Sequence, residues 1–323
     1  MNPATSTAAL PCATGAQFTL TRGGAVAQVV ALAAGLRLFA RDGVALTESY
    51  ADHQIAPGAA GITLAPFANR VDGGRWLLDG AVQQLDITEV DRNNAIHGLL
   101  RNTAYTALES SAHHVLLEAA IHPQHGFPFL LRHQVRYTLG EDENLLVEQT
   151  LLNDGAARAP YVLGAHPYLC LGSVPTEELT ITVPAATVVL ANERLIPTGT
   201  AAVGGATDAA SAAAGVPGGG VDLRAGRLVG GLSLDSAFTG LDFAGGRATT
   251  TLTAPDGRTV WLWQEEGAAY VHIFATDKFP GRTKAVAVEP MTGPANAFNS
   301  GDGLNWLEPG SSATLRWGIG ASL

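Results

Sequence analysis

Lysine is almost absent. Lys278 and Lys284 are the only two, so positive charge rests almost entirely on arginine. Acidic residues outnumber basic ones by 29 to 19, for a formal net charge of −10. A balance of that sign gives no extended surface for nucleic acid or for anionic membrane lipid. Cysteine is as scarce. Cys12 and Cys170 are too few for a disulfide framework or a cysteine zinc site, and a reducing, cytoplasmic setting is the expectation. No apolar run reaches the ~18 residues that a membrane-crossing helix needs. Residues 1–15 hold neither Lys nor Arg and are broken by Pro3 and Pro11, unlike a secretory signal. Residues 1–16 are expected to form a flexible leader.

The signatures of several large enzyme classes are also missing. There is no G-x-S-x-G elbow, no Walker phosphate loop and no H-E-x-x-H zinc helix. No G-x-G-x-x-G follows a strand, so no dinucleotide is implied, and no cofactor is expected. His113, His114, His122 and His125 form the densest histidine group. The first two fall on opposite faces of an extended strand and cannot converge on one ion, so these are read as ordinary polar histidines and no metal is expected.

Apolar residues make up 46% of the 323-residue chain, enough to bury a large core. Their spacing is mostly two, not 3.6. Residues 132–139 (RHQVRYTL) and 145–152 (LLVEQTLL) read as strands joined by a polar turn at 140–144. Residues 249–253 and 258–264 flank Pro255-Asp256-Gly257, where Gly supplies the positive φ of a turn. Further strands are expected at 17–22, 76–78, 115–121, 179–183, 270–275, 285–288 and 313–319. Many short strands with close turns predict an all-β sandwich or barrel. Residues 198–220, rich in Gly and Ala with Pro217, predict a surface loop within one domain that spans 17–323, because the strand pattern resumes unchanged after it.

Four stretches set polar or titratable residues at turn-prone strand ends, where an all-β fold can bring them to one concave face. They are Pro66-Phe67-Ala68-Asn69-Arg70, Asn94-Ala95-Ile96-His97-Gly98-Leu99, Gly164-Ala165-His166-Pro167-Tyr168-Leu169, and Val288-Glu289-Pro290-Met291-Thr292 running on to Asn299. Singly, each has a plain explanation. His97 or His166 alone would serve as a hydrogen-bonded structural histidine, Arg70 as an ion-pairing residue, and Glu289 before Pro290 as the end of an edge strand.

Together and in this order, the stretches PFANRVDGGRW, NNAIHGLLR, GAHPYL and VEPMTGPANAFN resemble the aldose 1-epimerase (galactose mutarotase) family. Leu234-Asp235-Ser236-Ala237-Phe238-Thr239 resembles that family's LD-x-x-F-T segment. The resemblance runs from about residue 17 to 320 and implies a large antiparallel β-sandwich, galactose mutarotase-like, with little helix. It implies His166 as general acid and Glu289 as general base, with Arg70, His97 and Asp235 orienting a sugar and Asn69 a weaker addition that also shapes the turn before Arg70. Met291 stands where family members often carry a polar residue.

The implied reaction interconverts α and β anomers of a free aldohexose by opening and reclosing the ring. A carboxylate, with a reference pKa of about 4.3, suits removal of the C1 hydroxyl proton, and a histidine, about 6.5, suits proton donation to the ring oxygen. Trp263 and Phe274 are candidates to stack on the sugar. Three alternatives remain. A hexose-6-phosphate epimerase would need cationic donors gathered at one pocket edge, although HPY is closer to the free-aldose members. A glycoside hydrolase would pair Asp235 with Glu289. A non-catalytic sugar-binding module would have no use for both His166 and Glu289.

Overall fold

The structure, a computed structural model, describes residues 12–204 and 222–323. Alternating apolar and polar side chains in Leu131–Leu139 and Leu145–Asn153 give strands whose residues are buried and half-buried by turns along their whole length. That is the period of a strand with one face on a core. The two pair antiparallel from Leu139↔Leu145 to Leu131↔Asn153. They sit near one side of a nine-stranded sheet, whose spatial order is Thr106–Ser110, His114–Ile121, Leu131–Leu139, Leu145–Asn153, Ser312–Ser322, Thr259–Glu265, Arg247–Thr253, Thr180–Thr182 and Arg227–Leu228.

A second sheet runs Pro197–Ala202, Ala185–Ala191, Leu234–Leu241, Tyr270–Thr276, Ala285–Met291, Gly164–Ala165 and Thr63–Leu64, with Tyr168–Leu169 also paired to Ala285–Met291. Every pairing in both sheets is antiparallel. One continuous core joins Leu117, Val135 and Val147 of the first sheet to Phe238, Ile273 and Val286 of the second, the arrangement of a β-sandwich. A four-stranded sheet, Gln17–Arg22, Ala25–Val30, Gly35–Arg41 and Val44–Ala45, extends the same core. Strands account for about 52% of the described residues and helices for about 5%. No helix among the described residues is long and apolar enough to cross a membrane.

Two segments differ from expectation. Pro197–Ala202 is an edge strand paired to Ala185–Ala191, not the start of a loop. The β-branched Thr198 and Thr200 favour extension, and an edge tolerates the Pro and Gly beside them. The rest of the expected loop, 205–221, lies outside the described residues. At the other end, 12–16 are tied to the fold by hydrogen bonds, not free. Leu32 N donates to Thr14 O at 3.0 Å and Ala31 N to Ala16 O at 2.9 Å, and Thr14 is buried. Residues 1–11 of the expected leader lie outside the described residues.

Candidate active site

Ala285–Met291 is buried at every position, a run of seven that carries Glu289. Its neighbour Tyr270–Thr276 places His272 directly opposite Glu289. On its other side the pairing is interrupted: Gly164 pairs with Met291 and Tyr168 with Ala287, and between them the chain bows at His166-Pro167. The bow keeps the same register, so His166 also falls opposite Glu289. It is pinned by Val288 N donating to Pro167 O at 3.0 Å, His166 N to Ile62 O at 3.0 Å, and Gly61 N to His166 O at 2.8 Å. Paired residues share a sheet face, and Asp235, paired with Phe274 one strand further, joins that face on the diagonal from His272.

The remaining groups come from a small ladder above this face, Arg70–Asp72 against Asn94–Ile96, with Arg70 opposite Ile96. Just beyond its end, Asn69 and His97 both take left-handed backbone, φ +55° and +65°, joined by His97 N donating to Asn69 O at 2.9 Å. Such conformations are costly for non-glycine residues and gather at functional sites. Gly98 follows at φ +79°, and a Cβ there would lie 2.1 Å from Ala65 O. Only glycine fits that step, which accounts for the Gly of IHG.

All six sequence-predicted residues, Asn69, Arg70, His97, His166, Asp235 and Glu289, line one cavity of about 480 Å³, with Glu89, Arg101, His272 and Phe274 among the others. Nε2 of His166 stands 3.3 Å from Oε1 of Glu289, and both side chains are nearly inaccessible. The His97 and His166 rings meet edge to face with centroids 5.2 Å apart. Glu289 Oε2, His166 Nδ1 and His97 Nδ1 are buried without a protein hydrogen-bond partner among the described residues.

Arg70 is the electrostatic hub. Its Nε and Nη2 donate to Glu89 at 2.9 and 3.0 Å, Nη1 donates to Asn69 Oδ1 at 3.1 Å, and Nη1 and Nη2 reach the two oxygens of Asp235 at 3.4 Å. Asp235 Oδ1 lies 2.8 Å from His272 Nε2, whose other ring nitrogen is 3.4 Å from Asn69 Nδ2. Burial pushes the Asp235 carboxyl up, but His272 and Arg70 outweigh it and hold it far below the usual carboxylate range. Burial likewise opposes ionisation of Glu89, and Arg70 with Asn94 overcomes it and lowers the carboxyl. Burial depresses His166, partly offset by the Glu289 carboxylate. Burial depresses His97 strongly, reinforced by the positive neighbours around it.

Of the two stacking candidates, only Phe274 lines the cavity. Trp263 lies in the nine-stranded sheet, with the Arg247 guanidinium 3.8 Å over its ring. Met291 is fully buried against Ile62, Leu64 and Val162 and is not a wall residue. His114 Nδ1 bonds Ser111 Oγ and His113 Nδ1 bonds Thr21 O, each at 2.8 Å. Glu89, His272 and Arg101 were not identified in sequence. Glu89 stands in a polar stretch before a short 3₁₀ turn, Val90–Arg92, with the composition of ordinary surface. His272 lies in an expected strand, and only the pairing with Ala285–Met291 gives it a role.

Two antiparallel sheets packed on one core, with little helix, are the layout of the galactose mutarotase-like fold. The galactose 1-epimerase of Lactobacillus acidophilus superposes with a TM-score of 0.77 at 20% identity, covering 94% of this chain and 93% of that one. The GalM/aldose epimerase homologue from C. elegans gives 0.78 at 17% identity over 95% and 98%. In sequence, the uncharacterized protein YihR of Escherichia coli is 29% identical over 306 residues, 94% of this chain and 93% of the relative. The chain belongs to the aldose 1-epimerase family, whose pattern matches residues 19–319.

Proposed function

We propose that the protein is an aldose 1-epimerase that interconverts the α and β anomers of a free aldohexose, with His166 and Glu289 as its proton-transfer pair. The observation that carries the reading is their contact, Nε2 to Oε1 at 3.3 Å, inside a cavity that also gathers Arg70, His97, Asp235 and Asn69. A volume of about 480 Å³ accommodates a hexose.

The working state of the pair holds one proton, on His166. Glu289 removes the proton of the C1 hydroxyl as that O–H pair becomes the carbonyl bond. The C1–O5 bond breaks, and its electrons take the proton from His166 at O5. Rotation about C1–C2 turns the other carbonyl face to O5. Glu289 then returns its proton to the carbonyl oxygen while the O5 hydroxyl gives its own back to His166, closing the opposite anomer. No atom is left on the protein, and the pair ends as it began. Burial makes the His166 imidazolium a stronger acid, which suits a weakly basic ether oxygen. The unpartnered nitrogens of His97 and His166 and the free Glu289 oxygen are groups that hydroxyls would satisfy. Arg70, Asp235 and His272 hold one another in place and so present a fixed frame to the sugar, with Asn69 completing it.

The same electrostatics weigh against glycoside hydrolysis by Asp235 and Glu289 as an acid–nucleophile pair with Asp235 protonated. His272 and Arg70 keep Asp235 ionised, so it cannot donate to a leaving group. Polarimetry of freshly dissolved α-glucose and α-galactose tests the reading. Accelerated approach to equilibrium, lost in Glu289→Gln, is the expected result, and a rate equal to the spontaneous one with both sugars counts against it. Anomerisation of a charged sugar is a second reading, favoured by one arginine of the cavity wall.

A further inference from the structure

The strand Ser312–Ser322 carries two glycines deep in its run. Gly318 and Gly320 alternate with Trp317, Ile319 and Ala321, which sit in the core between the sheets, so both glycines face outward from the nine-stranded sheet. Glycine weakens a strand and marks a close approach to the backbone. Here an indole makes that approach at each one. Trp263 pairs with Gly318 and Trp261 with Gly320 on the neighbouring strand. A Cβ at 318 would stand 2.6 Å from Cε2 and Cζ2 of Trp263, and one at 320 would stand 2.8 Å from the same atoms of Trp261. The two rings therefore cover the glycines on the outer surface, while Val260 and Leu262 of the same strand fill the core.

The surroundings of these indoles are polar. The exposed Arg247 holds its guanidinium 3.8 Å over the Trp263 ring. Its cross-strand partner Glu265 turns instead to Arg316, at 3.7 Å, so among the described residues the Arg247 N–H groups have no carboxylate. Trp261 is half-buried. Beside it, Asn144 Oδ1 would lie 2.6 Å from a Cβ at 320, and Asn144 Nδ2 donates to Asp142 Oδ2 at 2.8 Å. That bond leaves a second amide hydrogen and further carboxylate lone pairs for another partner. Asp142, Asn144, Leu146, Arg247, Trp261 and Trp263 line a cavity of about 270 Å³, which shares no residue with the active-site cavity. His272 and Glu289 alternate with the core residues Ile273 and Val288, so the two cavities open outward from different sheets.

We propose that this outer cavity is a second saccharide-binding site, in which a pyranose stacks its C–H face on Trp261 and turns its hydroxyl rim to Arg247, Asp142 and Asn144. A pyranose presents an apolar ring face bordered by hydroxyls, and an indole bordered by donors and acceptors is its complement. The contact with Trp263 holds the Arg247 guanidinium in place, so its planar set of N–H donors meets a hydroxyl without first being ordered. Lying on the other sheet from His166 and Glu289, the site holds a sugar without turning it over. The assignment is independent of the epimerase reading.

The test follows the indole N–H signals of the five tryptophans by NMR during titration with methyl β-glucopyranoside, methyl β-galactopyranoside and maltotriose. None of the five lines the active-site cavity, so their signals report on the outer face. Trp261→Phe and Trp263→Phe assign the two signals of interest. At least one probe is expected to shift both in a saturable way in the millimolar range, with Trp76 and Trp306 unmoved. Trp261→Ala, read at the Trp263 signal, should weaken binding about 10-fold, and Arg247→Gln about 3- to 10-fold. Anomerisation kcat/KM should stay unchanged in both. If Trp261→Ala fails to fold, Arg247→Gln, a change on an exposed side chain, decides alone. No saturable shift with any of the three probes, or wild-type affinity in the folded variants, overturns the proposal. Shifts that follow protein concentration and not sugar would assign the face to a second copy of this chain, and overturn it as well.

Discussion

Glu89 and Asp235 grip Arg70 on two adjoining edges of its guanidinium, Glu89 at 2.9 and 3.0 Å on the Nε–Nη2 edge and Asp235 at 3.4 Å on the Nη1–Nη2 end. Nothing but a planar fork can meet both carboxylates at once. Arg70→Lys keeps the charge but replaces the fork by a point ammonium, and should lose one of the two carboxylates. Its kcat/KM should fall about 10- to 100-fold. Arg70→Ala leaves two carboxylates facing each other with the cation gone, and should cost about 3–5 kcal/mol of stability. Urea melts and steady-state anomerisation of both variants check this, and unchanged kcat/KM with wild-type stability would remove Arg70 from the site.

Glu89 carries a prediction of its own. Although it has no counterpart among the residues read from the sequence, its carboxylate accepts from Arg70, Arg92 and Asn94. Glu89→Ala should cost about 2–3 kcal/mol and raise KM more than it lowers kcat, because Glu89 holds Arg70 in place and has no part in the proton transfer. An equal fall in kcat with KM unchanged would place Glu89 in the chemistry instead.

The contrast between these two residues shows what was legible. Arg70 could be found because it sits in a recognisable local pattern, PFANR, at a strand end. Glu89 could not, because its role depends on a contact with a residue 19 positions away that no local periodicity encodes. The same holds for His272, whose strand was expected while its position beside Glu289 depends on strand pairing. Among strands, Leu131–Leu139 and Leu145–Asn153 were clear because one face is half-exposed and the alternation survives. Ala285–Met291, buried throughout, loses that alternation, and only its first four residues were read as strand. Pro197–Ala202 was hidden by its composition, since Pro and Gly signal loops everywhere except at sheet edges.

Acid should destabilise the protein through His133. Burial holds its imidazole at about 3, against 6.5 for the exposed group, with Nδ1 on the Tyr105 hydroxyl at 2.7 Å. The folded pKa is the lower one, so between the two values the unfolded chain binds a proton that the folded chain refuses. Stability is therefore intact above 6.5 and is lost as pH falls toward 3. From pH 6.5 to 4.5 this single group should account for about 2–3 kcal/mol. Asp235 does not confuse the reading, because its folded pKa is held low and its contribution is lost only below its unfolded value. Urea melts at pH 7 and 4.5 should show a shallower pH dependence in His133→Gln than in the wild type. Parallel curves would show that His133 titrates alike in both states.

The pair His166 and Glu289 gives the sharpest expectation, because the two residues are in contact and their protons are linked. Glu289→Gln keeps the shape but cannot accept a proton as a carboxylate, and should lose about 10² to 10⁴ in kcat with a smaller change in KM. His166→Asn should lose a similar factor. The double variant should lose less than the product of the two, since removing either transfer already blocks the concerted route. The ionisation of His166 tests the contact independently of turnover. Burial lowers its pKa and the Glu289 carboxylate raises it in part, so an NMR titration should place the His166 imidazole below 6.5 in the wild type and lower still in Glu289→Gln. In the wild type, kcat/KM should fall in base as His166 gives its proton up. A His166 titration that Glu289→Gln leaves unmoved would break the electrostatic link, and near-wild-type kcat in that folded variant would take Glu289 out of the proton transfer.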